Sequence, residues 1–161
     1  MPSSRAPTDA QAASQDWLQL DQQLCFALYA SSLAMTKLYK PLLAPLGLSY
    51  PQYLVMLTLW EQDGLTVSGL GERLSLDSGT LTPMLKRMET AGLLQRERDP
   101  GDERRVILRL TNQGRALRQQ ALAIPKAVAC ASACPISEIQ DLTQRLQALR
   151  QQLERAETPD A

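Results

Sequence analysis

From Trp17 onward, Leu20, Leu24, Leu28 and Leu33, with Phe26 and Tyr29, make a broad apolar surface at 3–4 spacing. That spacing predicts a helix running to Tyr39. Pro41 and Pro45 disturb or end it, and Gly47 punctuates the chain. A second helix is announced by Ser49-Tyr50-Pro51-Gln52. Ser49 caps it, Pro51 falls in the first turn where no N–H is missed, and Gln52 completes a capping box. This helix carries Tyr53, Leu54, Met56, Leu57 and Trp60 and stops near Gln62-Asp63-Gly64. Thr66-Val67 reads as a short strand, Ser68 as the cap of a short helix from Gly69 to Leu74, and Asp77 or Ser78 as the cap of a longer one from Gly79 to Ala91. Pro83 lies in the early turns of that longer helix and Gly92 ends it. Two helices joined by a short turn form a helix-turn-helix candidate.

The next stretch sharpens the pattern. Leu93 to Arg98 and Arg105 to Leu110 are strand candidates around Asp99-Pro100-Gly101-Asp102, a strong turn sequence. A hairpin directly after a helix-turn-helix is a wing. Thr111 caps another helix, predicted to run through Leu117, Ala121 and Ile124 to about Ala129, strained at Pro125. Cys134-Pro135 restarts it. Ile136, Ile139, Leu142, Leu146, Leu149 and Leu153 then recur at steps of 3, 3, 4, 3 and 4, a coiled-coil-like seam. A terminal helix with such a stripe has to pack on something, and a partner subunit is the natural candidate. Residues 1–15 are Ser/Ala/Pro/Gln-rich without periodicity and read as a disordered arm. The fold class is therefore mainly α with a small β-hairpin wing.

Composition changes the picture in three ways. At 161 residues the chain supports one domain with a real core. Histidine is absent, which removes Ser-His-Asp and Cys-His catalysis, His-ligated zinc and histidine pH switches together. Lys+Arg and Asp+Glu are both 17, yet Ser78 to Arg118 holds nine basic residues against five acidic ones, a local net of +4. A neutral chain thus carries a basic region. Three cysteines, Cys25, Cys130 and Cys134, with no apolar leader in MPSSRAPTDAQAASQDW, fit a reducing, cytoplasmic setting rather than a secreted disulfide scaffold. No apolar run approaches the length of a membrane span, and no cofactor is indicated.

The stretch from Leu70 to Leu110 resembles a winged helix of the MarR family. The resemblance rests on Leu76-Asp77-Ser78-Gly79-Thr80-Leu81-Thr82-Pro83-Met84-Leu85-Lys86-Arg87-Met88-Glu89, on Gly92-Leu93-Leu94, and on Asp102-Glu103-Arg104-Arg105 at the hairpin tip. A helix fits the major groove of duplex DNA. Asp77, Ser78, Thr80 and Thr82 stand at its N-terminal end, and Lys86 and Arg87 lie further along, within reach of phosphates or base edges. By resemblance Arg104 enters the minor groove, while Asp102 holds the tip by pairing with an arginine. The competing explanation is an ordinary solvated helix and hairpin.

Cys25 lies in Leu24-Cys25-Phe26-Ala27-Leu28-Tyr29 and on a helix shares a face with Asp21, Gln22, Leu28 and Tyr29. A cysteine on an apolar helix is commonly buried and inert. Yet this segment, with Lys37-Leu38-Tyr39, Tyr50-Pro51-Gln52-Tyr53-Leu54-Val55-Met56 and Leu59-Trp60-Glu61, is similar to the organic hydroperoxide resistance regulators (OhrR), a MarR subfamily. With the winged helix the likeness covers about residues 20–150. It implies a homodimer on a palindromic operator, with residues 16–161 as one domain: 63–110 the DNA-binding lobe, 16–62 and 111–157 the dimerisation helices. It implies that Cys25 is a peroxidatic thiol for organic hydroperoxides, its thiolate favoured by the hydroxyls of Tyr39 and Tyr50, reaching across the dimer, with Tyr29 a third tyrosine. The alternative for the tyrosines is hydrophobic core. The likeness further makes Cys130 the resolving thiol from the other subunit and leaves Cys134 as a spare, so that oxidation to sulfenic acid and then an intersubunit disulfide releases DNA. Taken alone, C-x-x-x-C spacing also fits a helix face or a weak metal pair, and with no histidine nearby zinc is disfavoured. Other readings are a regulator switched by a non-covalent aromatic or lipid ligand, a constitutive DNA-binding module, and a thiol peroxidase. The last lacks a thioredoxin-like βαβ pattern and a C-x-x-C motif, so the protein is read as a regulator and not an enzyme.

Overall fold

In a computed structural model, residues 18–157 are described. The expected N-terminal arm and Trp17 lie outside them. The chain divides into two compact units, Met1–Pro41 and Leu42–Ala161.

The first unit opens with a 3-10 turn at Leu20–Gln22, followed by helix α1, Leu24–Leu43. The predicted helix from Trp17 is therefore broken ahead of Leu24. Asp21 and Gln22 belong to the turn and do not share a helical face with Cys25, whereas Leu28 and Tyr29 do. Pro41 sits inside α1 rather than ending it at Tyr39. A proline costs a helix the hydrogen bond of its own missing N–H, and here that loss falls in the last turn, two residues before the end. The apolar stripe stays uncovered within one chain: Leu24, Tyr29 and Leu33 are exposed.

In the second unit, Ser49 and Gln52 exchange the two bonds of a capping box and start α2, Tyr50–Glu61, as the sequence predicts. Thr66 takes both of the roles that were divided between a strand and Ser68. It bridges to Ile107 in extended conformation, and its Oγ1 accepts the Gly69 N–H at 3.1 Å. Helix α3 is consequently Val67–Leu74, starting two residues earlier than predicted. The following turn passes through Ser75 in the left-handed region (φ 53°), and the Leu76 carbonyl comes so close to Gly71 that a Cβ there would stand 2.7 Å from it. Asp77 caps α4, Ser78–Thr90, and Gly92 turns the chain away with a positive φ. Strands β1, Leu94–Asp99, and β2, Asp102–Leu110, pair antiparallel from Leu94↔Leu110 outward to Asp99↔Asp102, with an irregularity at Arg98/Asp99.

Thr111 caps α5, Asn112–Ala121, through the Gly114 N–H at 3.0 Å. The predicted single helix to Ala129 is instead two segments. α5 stops at Ala121 and α6, Ile124–Ser132, begins with Pro125 in its first turn. Proline is at home in a first turn and misplaced in a helix interior, so the break falls where it removes the strain. Leu122 and Ala123 keep right-handed helical dihedrals, so the two segments follow nearly one line. After Ala133 (φ 52°), Cys134 and Pro135 the chain bends by 97° into α7, Ile136–Glu157.

The core of this unit lies between the helix-turn-helix and the hairpin. Leu59, Leu70, Leu81, Leu85, Met88, Leu94 and Leu108 are almost completely buried. Each such side chain contributes about 1.5–3 kcal/mol. On its polar side, Asp63 joins three elements: its Oδ1 accepts from the N–H groups of Gly64 (3.0 Å) and Leu110 (2.9 Å), and its Oδ2 accepts from Arg115 (2.9 Å). Burial pushes the Asp63 carboxyl up, but the Leu110 N–H, the Arg115 guanidinium and the Gly64 N–H outweigh it and hold the carboxyl below the ordinary aspartate value. A folded-state pKa below the unfolded one gives stability that is complete above the unfolded value, about 3.9, and is lost as pH falls through the folded one. Asp63→Asn is therefore expected to lower stability by about 1 kcal/mol at pH 7 and to flatten the acid limb of stability against pH. Urea unfolding at several pH values from 7 downward checks this; an unchanged acid limb contradicts it.

Candidate functional site

Helix α4 presents two faces. Leu81, Met84, Leu85 and Met88 are buried, and Asp77, Ser78, Thr80, Thr82, Lys86 and Arg87 are all exposed. Ser78, Thr82 and Lys86 recur at every fourth position and so share one outward face. The Thr80 hydroxyl is less available than its sequence position suggests: it donates to Asp77 Oδ2 at 3.0 Å, while the Thr80 N–H donates to Oδ1 at 2.8 Å. Those two bonds, N–H first, hold the Asp77 carboxyl below the ordinary range. Asp77 thus fixes the helix entry, and Ser78 and Thr82 remain as the short outward donors.

At the hairpin tip, Asp102 Oδ1 accepts from the backbone N–H and from Nε of Arg104, both at 3.1 Å. The Arg104 side chain remains 90% exposed. The carboxylate spans one flank of the guanidinium and leaves the cation facing out. The hydrogen bonds from the Arg104 side chain and backbone lower the Asp102 pKa.

A second clamp has no counterpart among the sequence-based expectations. Glu89 Oε1 accepts the Arg96 N–H and its Oε2 accepts Arg96 Nε, both at 2.9 Å. This pair locks the last turn of α4 to β1. Opposite charges seven residues apart across Gly92 are its only trace in sequence, and that spacing acquires meaning only once the left-handed turn is known.

The thiols lie on the other elements. Cys25, Cys130 and Cys134 are all free and exposed within one chain. Cys25 and Tyr29 stand one turn apart on α1. Tyr39 is fourteen residues beyond Cys25 on the same helix, about 21 Å along the axis at 1.5 Å per residue. That is far outside the reach of a phenol to a thiol of its own helix. Tyr39 and Tyr50 are half-buried, and Tyr50 opens α2. Cys130 lies in the last turn of α6, and Cys134 follows it, its Sγ donating to the Ser132 carbonyl at 3.3 Å. Both thiols line an open groove of about 750 Å³ between α6 and α7, with Pro125, Ala129, Ile136 and Ile139. A smaller cavity of about 280 Å³ is lined by Tyr53, Leu57, Trp60, Arg118 and Leu122. Among the described residues no group of three or more metal-binding side chains occurs, and no single helix is long and apolar enough to cross a membrane.

This arrangement has close counterparts. The family model described as MarR family matches residues 48–106. The organic hydroperoxide resistance transcriptional regulator of Bacillus subtilis (strain 168) is 57% identical over 113 residues, covering 70% of this chain and 77% of the relative. The structure of reduced AbfR bound to DNA aligns with a TM-score of 0.75 and 37% identity over 90% of this chain and 99% of that one. The structure of disulfide-formed AbfR aligns at 0.60 with 40% identity over 86% and 98%. AbfR is a Staphylococcus epidermidis protein.

The Glu89–Arg96 clamp yields a direct test. Glu89→Gln is expected to leave the helices intact and to speed hydrogen exchange of the Arg96 amide by about tenfold, one bond's worth of protection. Exchange unchanged in the variant means the clamp does not hold the wing.

Proposed function

This chain belongs to the MarR family of winged-helix transcriptional regulators, close to the organic hydroperoxide resistance regulators, and from that premise we propose that it is a homodimeric, cytoplasmic peroxide sensor that represses from a palindromic operator. DNA is the partner that the relatives' DNA-bound structure supports. In this reading α4 enters the major groove with Ser78, Thr80, Thr82, Lys86 and Arg87, behind the Asp77 cap. Arg104, aimed by Asp102, enters the minor groove.

The observation that carries the redox part is a thiol displayed on an uncovered apolar helix: Cys25 is exposed among Leu24, Leu28 and Tyr29. Such a surface suits an alkyl peroxide, because each buried CH₂ is worth about 0.8 kcal/mol. The Cys25 thiolate attacks the terminal peroxide oxygen and the O–O bond breaks. Cys25 becomes a sulfenic acid, and the alkoxide takes a proton from water and leaves as the alcohol. The Cys130 thiolate of the partner subunit then attacks the Cys25 sulfur. The S–S bond forms, and the S–O bond breaks with loss of hydroxide. Tyr50 and Tyr39 of the opposite subunit donate hydrogen bonds to the sulfur, with Tyr29 beside it. The axial separation of Cys25 and Tyr39 favours this crossing. Cys134 is the spare thiol. Since a disulfide needs Cα atoms within about 7 Å, closing it draws the helices together and carries the two DNA-binding lobes out of register. Thiol reductants reverse it.

A second reading draws on the Tyr53–Trp60–Arg118 cavity, whose apolar walls, with Glu61 and Arg118 as charged lining residues, suit a small aromatic or lipid-like ligand. It is separated from the first by Cys25→Ser, which abolishes a peroxide response and spares a ligand response.

A non-reducing gel after one equivalent of cumene hydroperoxide is expected to show a covalent dimer, reversed by dithiothreitol and lost in Cys25→Ser and Cys130→Ser. A dimer that persists in Cys130→Ser moves the resolving role to Cys134. For the DNA face, Arg104→Ala is expected to weaken binding and to lower the slope of log affinity against log salt by about one for each phosphate the arginine no longer neutralises. Unchanged affinity and slope remove the wing from the interface.

A further inference from the structure

The first turn of α5 is held from three directions. From α2, Trp60 Nε1 donates to the Gly114 carbonyl at 2.8 Å. From the end of the recognition helix, the Gly92 and Leu93 carbonyls accept from Thr111, at 2.6 Å from its Oγ1 and 3.2 Å from its N–H. From the foot of the wing, Asp63 takes the Leu110 N–H and the Arg115 guanidinium on its two oxygens. Gly114 lies so close to the Leu93 carbonyl that no Cβ fits between them. One helical turn therefore grips α2, the segment after α4, and β2 at once.

The same helix leads outward to the thiols. Arg115 and Cys130 are fifteen residues apart on the nearly continuous α5–α6 arm, about 22 Å at helical rise. The arm is interrupted only at Leu122 and Ala123, which keep helical dihedrals, so a displacement imposed at its Cys130 end is passed along it toward the first turn of α5. Only contacts that do not slide pass such a displacement on. Apolar side chains can repack, whereas the Asp63 carboxylate has both oxygens committed, Oδ1 to two backbone N–H groups and Oδ2 to one guanidinium N–H of Arg115 in a charge-assisted bond. The pair is also half-open to solvent, with Arg115 53% and Asp63 28% exposed, so it is not needed to fill the core.

We infer that the Asp63–Arg115 pair is the joint that couples the thiol-bearing α5–α6 arm to the wing, making both positioning residues for oxidative release of DNA. This rests on the peroxide-sensor reading. Without the pair, oxidation still closes the disulfide, but the arm turns with only the Trp60 and Thr111 bonds and the chain itself to carry the wing, and carries it less far. Coupling between sites in proteins commonly spans about 5–150-fold in affinity, and one removed joint is expected to take away a sizeable part of it.

The test uses full-length wild type, Arg115→Ala and Arg115→Lys, each reduced and then oxidised with cumene hydroperoxide, with operator affinity measured in both states and covalent dimer followed on gels. Arg115→Ala is expected to form the disulfide at the wild-type rate and to bind DNA when reduced, while the fold-loss of affinity on oxidation shrinks by about tenfold; Arg115→Lys restores most of it. An equal fold-loss in wild type and Arg115→Ala, with disulfide formed in both, overturns the joint and leaves the sensor standing. Wild type that keeps its operator affinity once oxidised overturns the sensor and the joint with it. Asp63→Asn serves as a second variant from the other side of the pair: a full wild-type fold-loss there also overturns the joint.

Discussion

The backbone of Gly114 lies directly against the carbonyl of Leu93, and the DNA-binding lobe is arranged around that approach. Because no side chain stands between them, the first turn of α5 comes close enough for Thr111 to bond the two carbonyls that follow the recognition helix. Trp60 can then reach the Gly114 carbonyl, and Asp63 can reach both Leu110 and Arg115. A methyl group at Gly114 would push these elements apart together, since the backbone it meets has no flexible side chain to absorb the displacement. The wing angle and the recognition-helix angle thus depend on one backbone-to-backbone distance.

Electrostatics follow the same economy. A neutral chain concentrates positive charge between Ser78 and Arg118, from α4 through the hairpin into α5, and three of the carboxylates on α4's entry, α4 and the hairpin are used to fix geometry. Asp77 closes the helix entry, Glu89 locks helix to strand and Asp102 steers Arg104. In each case hydrogen bonds hold the carboxyl ionised. These pairs are at the surface and add little stability. Their effect is on orientation, which a groove-reading surface needs more than extra kilocalories.

What could be read from the sequence was what is decided within one turn of the chain. The Ser49–Gln52 box, the Thr111 cap and the Asp77 cap depend on neighbours three residues away; the first two appear where expected, and the third is one of the two caps, Asp77 or Ser78, that the sequence left open. Errors begin where a residue answers to something distant. Thr66 displaces Ser68 as a cap because it is also held in extended form by Ile107. The α5–α6 break was visible as Pro125, yet its resolution needed a second helix start. Glu89–Arg96 and Asp63–Arg115 were invisible, because oppositely charged residues are common and only the tertiary path selects partners. For the thiols, sequence supplied candidates and a resemblance, while their exposure in one chain depends on which apolar faces the fold leaves open.

Those open faces place the chemistry. Helix α7 buries none of its seam residues within one chain: Ile136, Leu142, Leu146 and Leu153 stay exposed, as do Leu24 and Leu33 on α1. At about 1.5–3 kcal/mol for each fully buried large apolar side chain, two such helices hold back more than the stability of many whole domains. In the proposed dimer the second copy covers this apolar surface. Cys25 stands on one of the uncovered helices, while Cys130 and Cys134 lie at the bend that leads into the other. In the proposed dimer, a thiol there meets its partner through the surface that joins the two copies. In the proposed sensor, oxidation at such a place acts on subunit packing directly, and the α5–α6 arm brings the change to the wing.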